Sequence, residues 1–411
     1  MLSVHRHRKE VRGLVLRTAL TVRETGRMAY PLFTEEHEAL RASVRQFVAA
    51  EIAPYVDQWE ADGYFPDSVF ERCGELGYLG LHYPARWGGA DGDLAAGIVF
   101  MEELAKCGCG AIPMAVGVQT DMATPALAHF GTDDQRDRYL APAIAGTKIA
   151  AIAITEPDAG SDVAGIRTSA VRQGDSWVIN GAKTYITNGR RASFLTLVAK
   201  TDPSAGHRGI SLFLVDTDLA GVTISRTLDK LGMRSSDTAE FAFTDVVVPH
   251  ENLIGAEPGQ GFSQLMWQLQ YERLVMTAGC VGQAELAIED AVAFAQDRRT
   301  FDTPLSDHQV IAHKLAECRT DLEAMRALLY VTAMRIAAGE QPVDAISITK
   351  KFGAQALNRI LDTCLQIHGG AGYMSEYRVS RLWRDARLQR IGAGTDEMMD
   401  RIIAKEMGLK G

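Results

Sequence analysis

From Phe33 to about Lys148 apolar residues return at three- and four-residue spacing, as at Leu40, Val44, Phe47 and Val48, which predicts packed amphipathic helices. Thr34, followed by Glu35 and Glu36, reads as a helix N-cap with acids in the first turn; Thr132, before Asp133 and Asp134, reads the same way. Pro66 and the Pro84 to Gly89 stretch read as breaks between helices. From Ile149 to about Glu257 the period shortens. Trp177 to Ile179 reads as a strand entering an Asn180-Gly181 turn, and the runs at 194–199, 209–215 and 240–243 read as further short strands. Beyond Gly259 helical periodicity returns in three long stretches, about 261–298, 308–338 and 343–368. The expected chain is therefore α+β, with an N-terminal helical domain at 28–148, a central β domain at 149–257 and a C-terminal helical domain at 258–411.

Composition narrows the function classes. The 46% apolar and 23% charged fractions across 411 residues are those of a globular protein with a sizeable core. A net charge of −9 argues against nucleic acid as the main partner, because binding phosphates needs a basic surface. No apolar run approaches the ~20 residues that span a bilayer. The six cysteines include no CxxC pair, and the ten histidines show no ligand spacing, so no metal site is expected and the thiols read as reduced. Residues 1–27 hold seven lysines and arginines against Glu10 and Glu24. They read either as an organelle transit segment or as sequence upstream of a true start at Met28.

Five stretches carry chemistry. Ile154-Thr155-Glu156-Pro157-Asp158-Ala159-Gly160-Ser161-Asp162 offers backbone N–H groups and a hydroxyl to anionic oxygens, with a glycine for close approach. Lys183-Thr184-Tyr185-Ile186-Thr187 follows about 25 residues later. Arg298-Arg299-Thr300-Phe301 precedes His308-Gln309, and Gln366 precedes His368-Gly369-Gly370. On the helix from Gly261, Leu265, Leu269, Glu272, Met276 and Gly279 share one stripe, which puts a carboxylate among apolar neighbours. Such a group is costly unless paired or protonated. From periodicity alone, Glu272 is either functional or ion-paired with Arg273 or a neighbouring helix.

These motifs, spread over about residues 32–408, resemble the acyl-CoA dehydrogenase family. The resemblance implies a central β-barrel-like domain, a C-terminal four-helix bundle and bound FAD. It implies cofactor contacts from Ile152, Ile154, Thr155, Gly160, Ser161, Tyr185, Ile186, Thr187, Arg298, Thr300, Phe301, Gln309, Gln366, Gly369, Gly370, Thr395 and Glu397. Tyr185 would shield the flavin ring and Thr187 would bond near N5, while the arginine and Gln-x-x-Gly-Gly segments would reach FAD across a subunit boundary in a homo-oligomer, expected to be a tetramer. Many members carry the catalytic glutamate in the loop that reads Arg390-Ile391-Gly392-Ala393-Gly394-Thr395 here, where Ala393 takes its place. Isovaleryl- and long-chain-type members instead carry the base on the helix, just before an arginine, as Glu272-Arg273 does. The resemblance thus implies Glu272 as base, the Ala393 N–H as donor to the thioester carbonyl, and Ser161, Arg273 and Gly394 as further substrate contacts, with Arg273 reaching CoA.

The activity implied is α,β-dehydrogenation of a medium-chain, long-chain or branched acyl-CoA to the trans-2-enoyl thioester. Electrons would pass to an electron-transfer flavoprotein, as in fatty-acid β-oxidation, in the cytoplasm or, with a transit segment, the mitochondrial matrix. Loop residues from Cys107 to Met122, including the small Ala115 and Gly117, are expected to floor the acyl cavity. The alternatives are a carrier-protein-linked dehydrogenase, which a basic rim would favour, a catalytically silent partner subunit, and a flavin monooxygenase or oxidase. Met233 and Met276 read as packing, Trp87 as a turn residue, and His368 as a core or cofactor-packing residue.

Overall fold

The computed structural model describes residues 30–409; the leader at 1–27 lies outside them. The expected N-caps form. Thr34 Oγ1 accepts from the His37 N–H at the head of the Glu35–Phe47 helix, and Thr132 Oγ1 accepts from the Gln135 N–H. Both are reciprocal capping boxes, with His37 and Gln135 side chains returning to the cap residue. The long C-terminal helices run Gly261–Asp297, Gln309–Ala337 and Val343–His368, and shorter ones follow at Arg378–Ala386 and Asp396–Glu406.

Between the helical layers lies one curled seven-stranded sheet. Its strands are β1 (Ala150–Ala153), β2 (Ser169–Gln173), β3 (Ser176–Thr187), β4 (Phe194–Lys200), β5 (Ile210–Asp216), β6 (Val222–Thr227) and β7 (Thr238–Pro249). The order is β1-β4-β2-β3-β7-β6, with β5 also on β4, so the sheet is an open half-barrel. The expected Asn180-Gly181 turn does not form; β3 runs through it with a shift of register against β7. Asn180 explains the difference. Its side-chain amide donates to Asp245 Oδ1 at 3.0 Å and its Oδ1 accepts from the Asp245 N–H at 2.9 Å, so the dipeptide is satisfied across the sheet. The edge strand β6 is mostly exposed, and its apolar alternation is limited to Val222 and Ile224, too short to mark it in the sequence.

The three domains are joined by polar groups as well as by the core. Asp385 is buried, and its carboxylate accepts from the Gly110 N–H at 2.7 Å and the Met233 N–H at 2.5 Å, one from each preceding domain. Tyr330 donates to Glu102 at 2.6 Å, Arg41 reaches Glu102 at 2.7 Å, and Lys106 reaches Glu285 at 2.8 Å, fixing the Leu94–Leu104 helix against the bundle.

That helix packs on Gly261–Asp297 so closely that a Cβ on Gly282 would lie 2.1 Å from the Glu102 carbonyl oxygen. Backbone cannot yield as a side-chain tip can. Gly282→Ala is therefore expected to destabilise the protein by about 1–3 kcal/mol, despite alanine's better helix propensity. Thermal unfolding checks this; an unchanged or higher Tm would show that the helices can separate freely.

Candidate functional site

Two of the sequence motifs are clamped together by one buried ion pair. Lys183, from β3, donates through Nζ to Glu156 Oε1 at 2.8 Å and to the Ile154 carbonyl at 2.8 Å. Glu156 also accepts from the Thr168 N–H at 2.9 Å and the Arg167 N–H at 2.6 Å. The carboxylate thus holds both ends of the loop that carries Gly160 and Ser161. Burial lowers the Lys183 pKa to about 8 against the pull of Glu156. Ile152 is buried on β1, Ile154 and Thr155 are half-buried, and Gly160 and Ser161 are exposed. A Cβ on Gly160 would meet no protein atom within 4 Å, so nothing in the fold fills the space beside it.

Register also shifts on β3 between Lys183 and Ile186. At this bulge Tyr185 adopts φ 60° and turns outward, 69% exposed, while Ile186 is buried and Thr187 half-buried. A bulky residue in the left-handed region is strained, and such strain collects where a side chain must be aimed. Phe301 shows the same feature, with φ 50° and 95% exposure. Its hairpin is closed by Thr300 Oγ1 and His308 Nε2 at 3.0 Å. Arg298 and Gln309 are exposed nearby in sequence, as are Gln366, Gly369 and Gly370 at the end of the Val343–His368 helix, beside Tyr373 at 83% exposure. His368 is buried with Nδ1 2.7 Å from the Cys364 carbonyl, a satisfied core histidine.

Glu272 lies inside the protein, 5% exposed, and makes no ion pair or hydrogen bond among the described residues. Loss of water is the main cause that raises its pKa, to about 8; nearby Asp121 adds to the rise, and Arg273 and Lys350 oppose it. Both cations are engaged elsewhere. Arg273 Nε donates to the Ala393 carbonyl at 3.1 Å, and Lys350 Nζ donates to the Gly394 carbonyl. Arg273 is buried, so its Nε faces the loop and not open solvent. The loop is itself strained, with Ala393 at φ 55° and Gly394 at φ 98°. Thr395 then caps the last helix by accepting from the Met398 N–H at 3.3 Å, and Glu397 is exposed in its first turn.

The predicted apolar stripe around Glu272 is more polar than its spacing suggested. Leu265 and Gly279 are buried, but Leu269 and Met276 are half-buried, while Gln264 and Gln268 are fully turned inward. Gln264, Gln268 and Glu272 sit at four-residue steps, which marks this face in the sequence once polar residues are counted too. Lys350 and Asp121 carried no local sequence signal, because each becomes relevant only through tertiary contact with Glu272. Among the described residues no cluster suited to a metal ion occurs, no helix is long and apolar enough to cross a membrane, and the six cysteines are buried and free.

The shift on Glu272 has a consequence for stability. Its pKa in the fold lies above the unfolded value, so the penalty is absent well below ~4, grows as pH rises, and is complete above about 8. Glu272→Gln is expected to raise Tm, by a gain on the order of 2–4 kcal/mol near pH 8 that shrinks toward pH 4. Calorimetry at both pH values checks this; a loss of stability near pH 8 would mean that the carboxylate is paired.

Comparison with known proteins agrees along the whole described chain. The N-terminal, middle and C-terminal domain models of acyl-CoA dehydrogenase match residues 34–147, 151–246 and 259–408. Rat mitochondrial long-chain specific acyl-CoA dehydrogenase is 35% identical over 92% of this chain and 87% of its own. A 3-(aryl)acrylate reductase of Clostridium sporogenes is 36% identical over 91% of this chain and 99% of its own. The crystal structure of an acyl-CoA dehydrogenase from Geobacillus kaustophilus superposes with a TM-score of 0.89 at 38% identity, covering 93% of this chain and all of that one. The chain belongs to the acyl-CoA dehydrogenase family.

Proposed function

We propose that this protein is an FAD-dependent acyl-CoA dehydrogenase in which Glu272, borne on the helix, removes the α-proton of the thioester. The observation that carries the reading is the state of that carboxyl: buried, unpaired, and with a pKa of about 8. A general base works best when its pKa lies near the working pH. A group held neutral by desolvation also spends nothing on an ion pair that would have to break first.

The chain's own residues fit FAD. Space beside Gly160 is open, Ser161 and neighbouring N–H groups suit phosphate oxygens, and Tyr185 is presented outward at a strained bulge. When bound, FAD supplies the acceptor for the β-hydride. Arg298, Thr300, Phe301, Gln309, Gln366, Gly369 and Gly370 would complete its site from a neighbouring subunit, which accounts for the bare Phe301 and Tyr373 rings. The assembly would be a homotetramer.

At the reacting carbon, the Ala393 N–H would hold the thioester carbonyl, and alanine keeps that donor while leaving the carboxylate to Glu272. Arg273 and Lys350 fix the two carbonyls of the same turn, so the donor geometry is set before substrate arrives. Substrate would be a medium-chain, long-chain or branched acyl-CoA, the product its trans-2-enoyl thioester, and the electron acceptor an electron-transfer flavoprotein.

Glu272→Gln is expected to keep FAD and lose about 10³-fold or more in the rate of flavin bleaching by acyl-CoA without oxygen. Stopped-flow absorbance measures this; bleaching at the native rate would remove Glu272 from the role of base.

A further inference from the structure

Where the N-terminal helical domain meets the sheet, the protein holds a cleft of about 350 Å³. None of the residues assigned above to the base, the thioester or FAD lines it. Its volume suits a small molecule. One wall is the end of the Val56–Asp62 helix, closed by Gly63 at φ 69°. The other is the segment that joins β6 to β7, together with Arg190 just beyond β3. A Cβ on Gly63 would meet only the Arg234 carbonyl oxygen, at 3.9 Å, so the walls stand apart there. Met233, the residue before Arg234, sits at φ 51° with its N–H tied to Asp385 at 2.5 Å. A strained and tethered residue at that point fixes where the arginine leaves the backbone.

The cleft carries charges of both signs, and hydrogen bonding separates the committed groups from the free ones. Lys230 is committed. Its Nζ donates to Ser236 Oγ at 3.2 Å, to Thr238 Oγ1 at 3.0 Å and to the Ser236 carbonyl, which uses all its protons. Asp237 accepts from the Arg190 N–H at 2.6 Å and from Arg191 Nε at 2.8 Å. Glu60 is half committed. Its Oε1 accepts from the Ser235 N–H at 2.9 Å and from Ser235 Oγ at 2.6 Å, while Oε2 is buried with no hydrogen-bond partner among the described residues. An unmet buried acceptor is costly and calls for an explanation. Arg190 and Arg234 are exposed, and neither guanidinium makes an ion pair or hydrogen bond among the described residues. Arg190 leans over the Tyr64 ring, 5.4 Å from its centroid. Asp62 and Asp229 stand exposed on the rim.

We propose that this cleft binds a small zwitterion of the amino-acid class, with its acidic group on Arg190 and Arg234 and its ammonium group on Glu60 Oε2. An anion alone would pair with the arginines, leave Oε2 unmet and stand against the like charges of Asp62 and Asp229. A cation alone would meet Glu60 and be repelled by Arg190 and Arg234. A molecule with both charges a few bonds apart satisfies both sets. Guanidinium donates in a fork that matches a carboxylate or a phosphate, and an ammonium brings the donor that Oε2 lacks. The walls come from two domains, so the ligand bridges them and binds the folded state alone, which raises Tm. The assignment does not depend on Glu272 or on the reaction read for it.

Isothermal titration calorimetry on the FAD-loaded, full-length protein tests this. The probes are the proteinogenic L-amino acids and phosphoethanolamine, with acetate, inorganic phosphate and methylammonium as single-charge controls. At least one zwitterion is expected to bind saturably, with a Kd on the order of 1 mM or tighter and about tenfold or more below that of every control. Arg234→Ala and Glu60→Gln should each weaken that binding about tenfold or more. The glutamine keeps an oxygen for Ser235 and turns a donor toward the ammonium. Flavin absorbance and Tm without ligand check that each variant is folded and loaded. If no zwitterion binds the unaltered protein, the proposal is overturned and Glu60 Oε2 is left to water. Acetate, phosphate or methylammonium binding as tightly as the best zwitterion also overturns it, because one charge would then suffice. Both outcomes are read whether or not the variants fold. Binding that survives the two substitutions places the ligand elsewhere and overturns it as well.

Discussion

Everything at this site follows from one carboxyl kept out of water without a counter-ion. Burying Glu272 on the Gly261–Asp297 helix disfavours its charged form, and the neighbouring Asp121 disfavours it further. Two cations stand near enough to neutralise it, yet Arg273 and Lys350 donate instead to the carbonyls of Ala393 and Gly394. Had either closed on Glu272, the carboxylate would be a structural ion pair with a depressed pKa. As built, the same two cations fix the loop opposite and leave the proton affinity of Glu272 near neutrality. The loop holds alanine at the position where the sequence resemblance implies a glutamate in many relatives.

The scaffold holds this arrangement by buried polar contacts between domains. Asp385 joins all three, through the N–H groups of Gly110 and Met233, and Glu156 with Lys183 joins the Gly160 loop to β3. Buried pairs of this kind add little net stability, because desolvation offsets most of the attraction. Their value lies in geometry, since each accepts few alternative partners. The backbone pays for that geometry at Tyr185, Phe301 and Ala393, three non-glycine residues in the left-handed region, all in segments that the motifs had marked.

Much of this was legible in the sequence because it is local. The caps at Thr34 and Thr132, the three long helices and the strands at 194–199 and 209–215 follow from period and end signals, and they form within a residue or two of the expected bounds. The Asn180-Gly181 dipeptide misled because its turn preference is overruled by a side-chain pair with Asp245, 65 residues away. Glu272 stood out as a carboxylate in an apolar stripe, but periodicity could not decide between a base and an ion pair. That depended on where Arg273 points and on Lys350 and Asp121, which lie far off in the chain. Gln264 and Gln268 also face inward, but apolar periodicity does not mark a buried face that polar residues share.

The account is tested most directly by the pH dependence of flavin reduction in the unaltered protein, at acyl-CoA well below saturation, where the rate reports the free protein, and without oxygen. Only the ionised carboxylate can take a proton, so with its pKa raised to about 8 the rate should be low in acid and climb through that region. A rate already at its plateau near pH ~5, in the range of an ordinary carboxylate, would contradict the claim that a dry, unpaired Glu272 is the base.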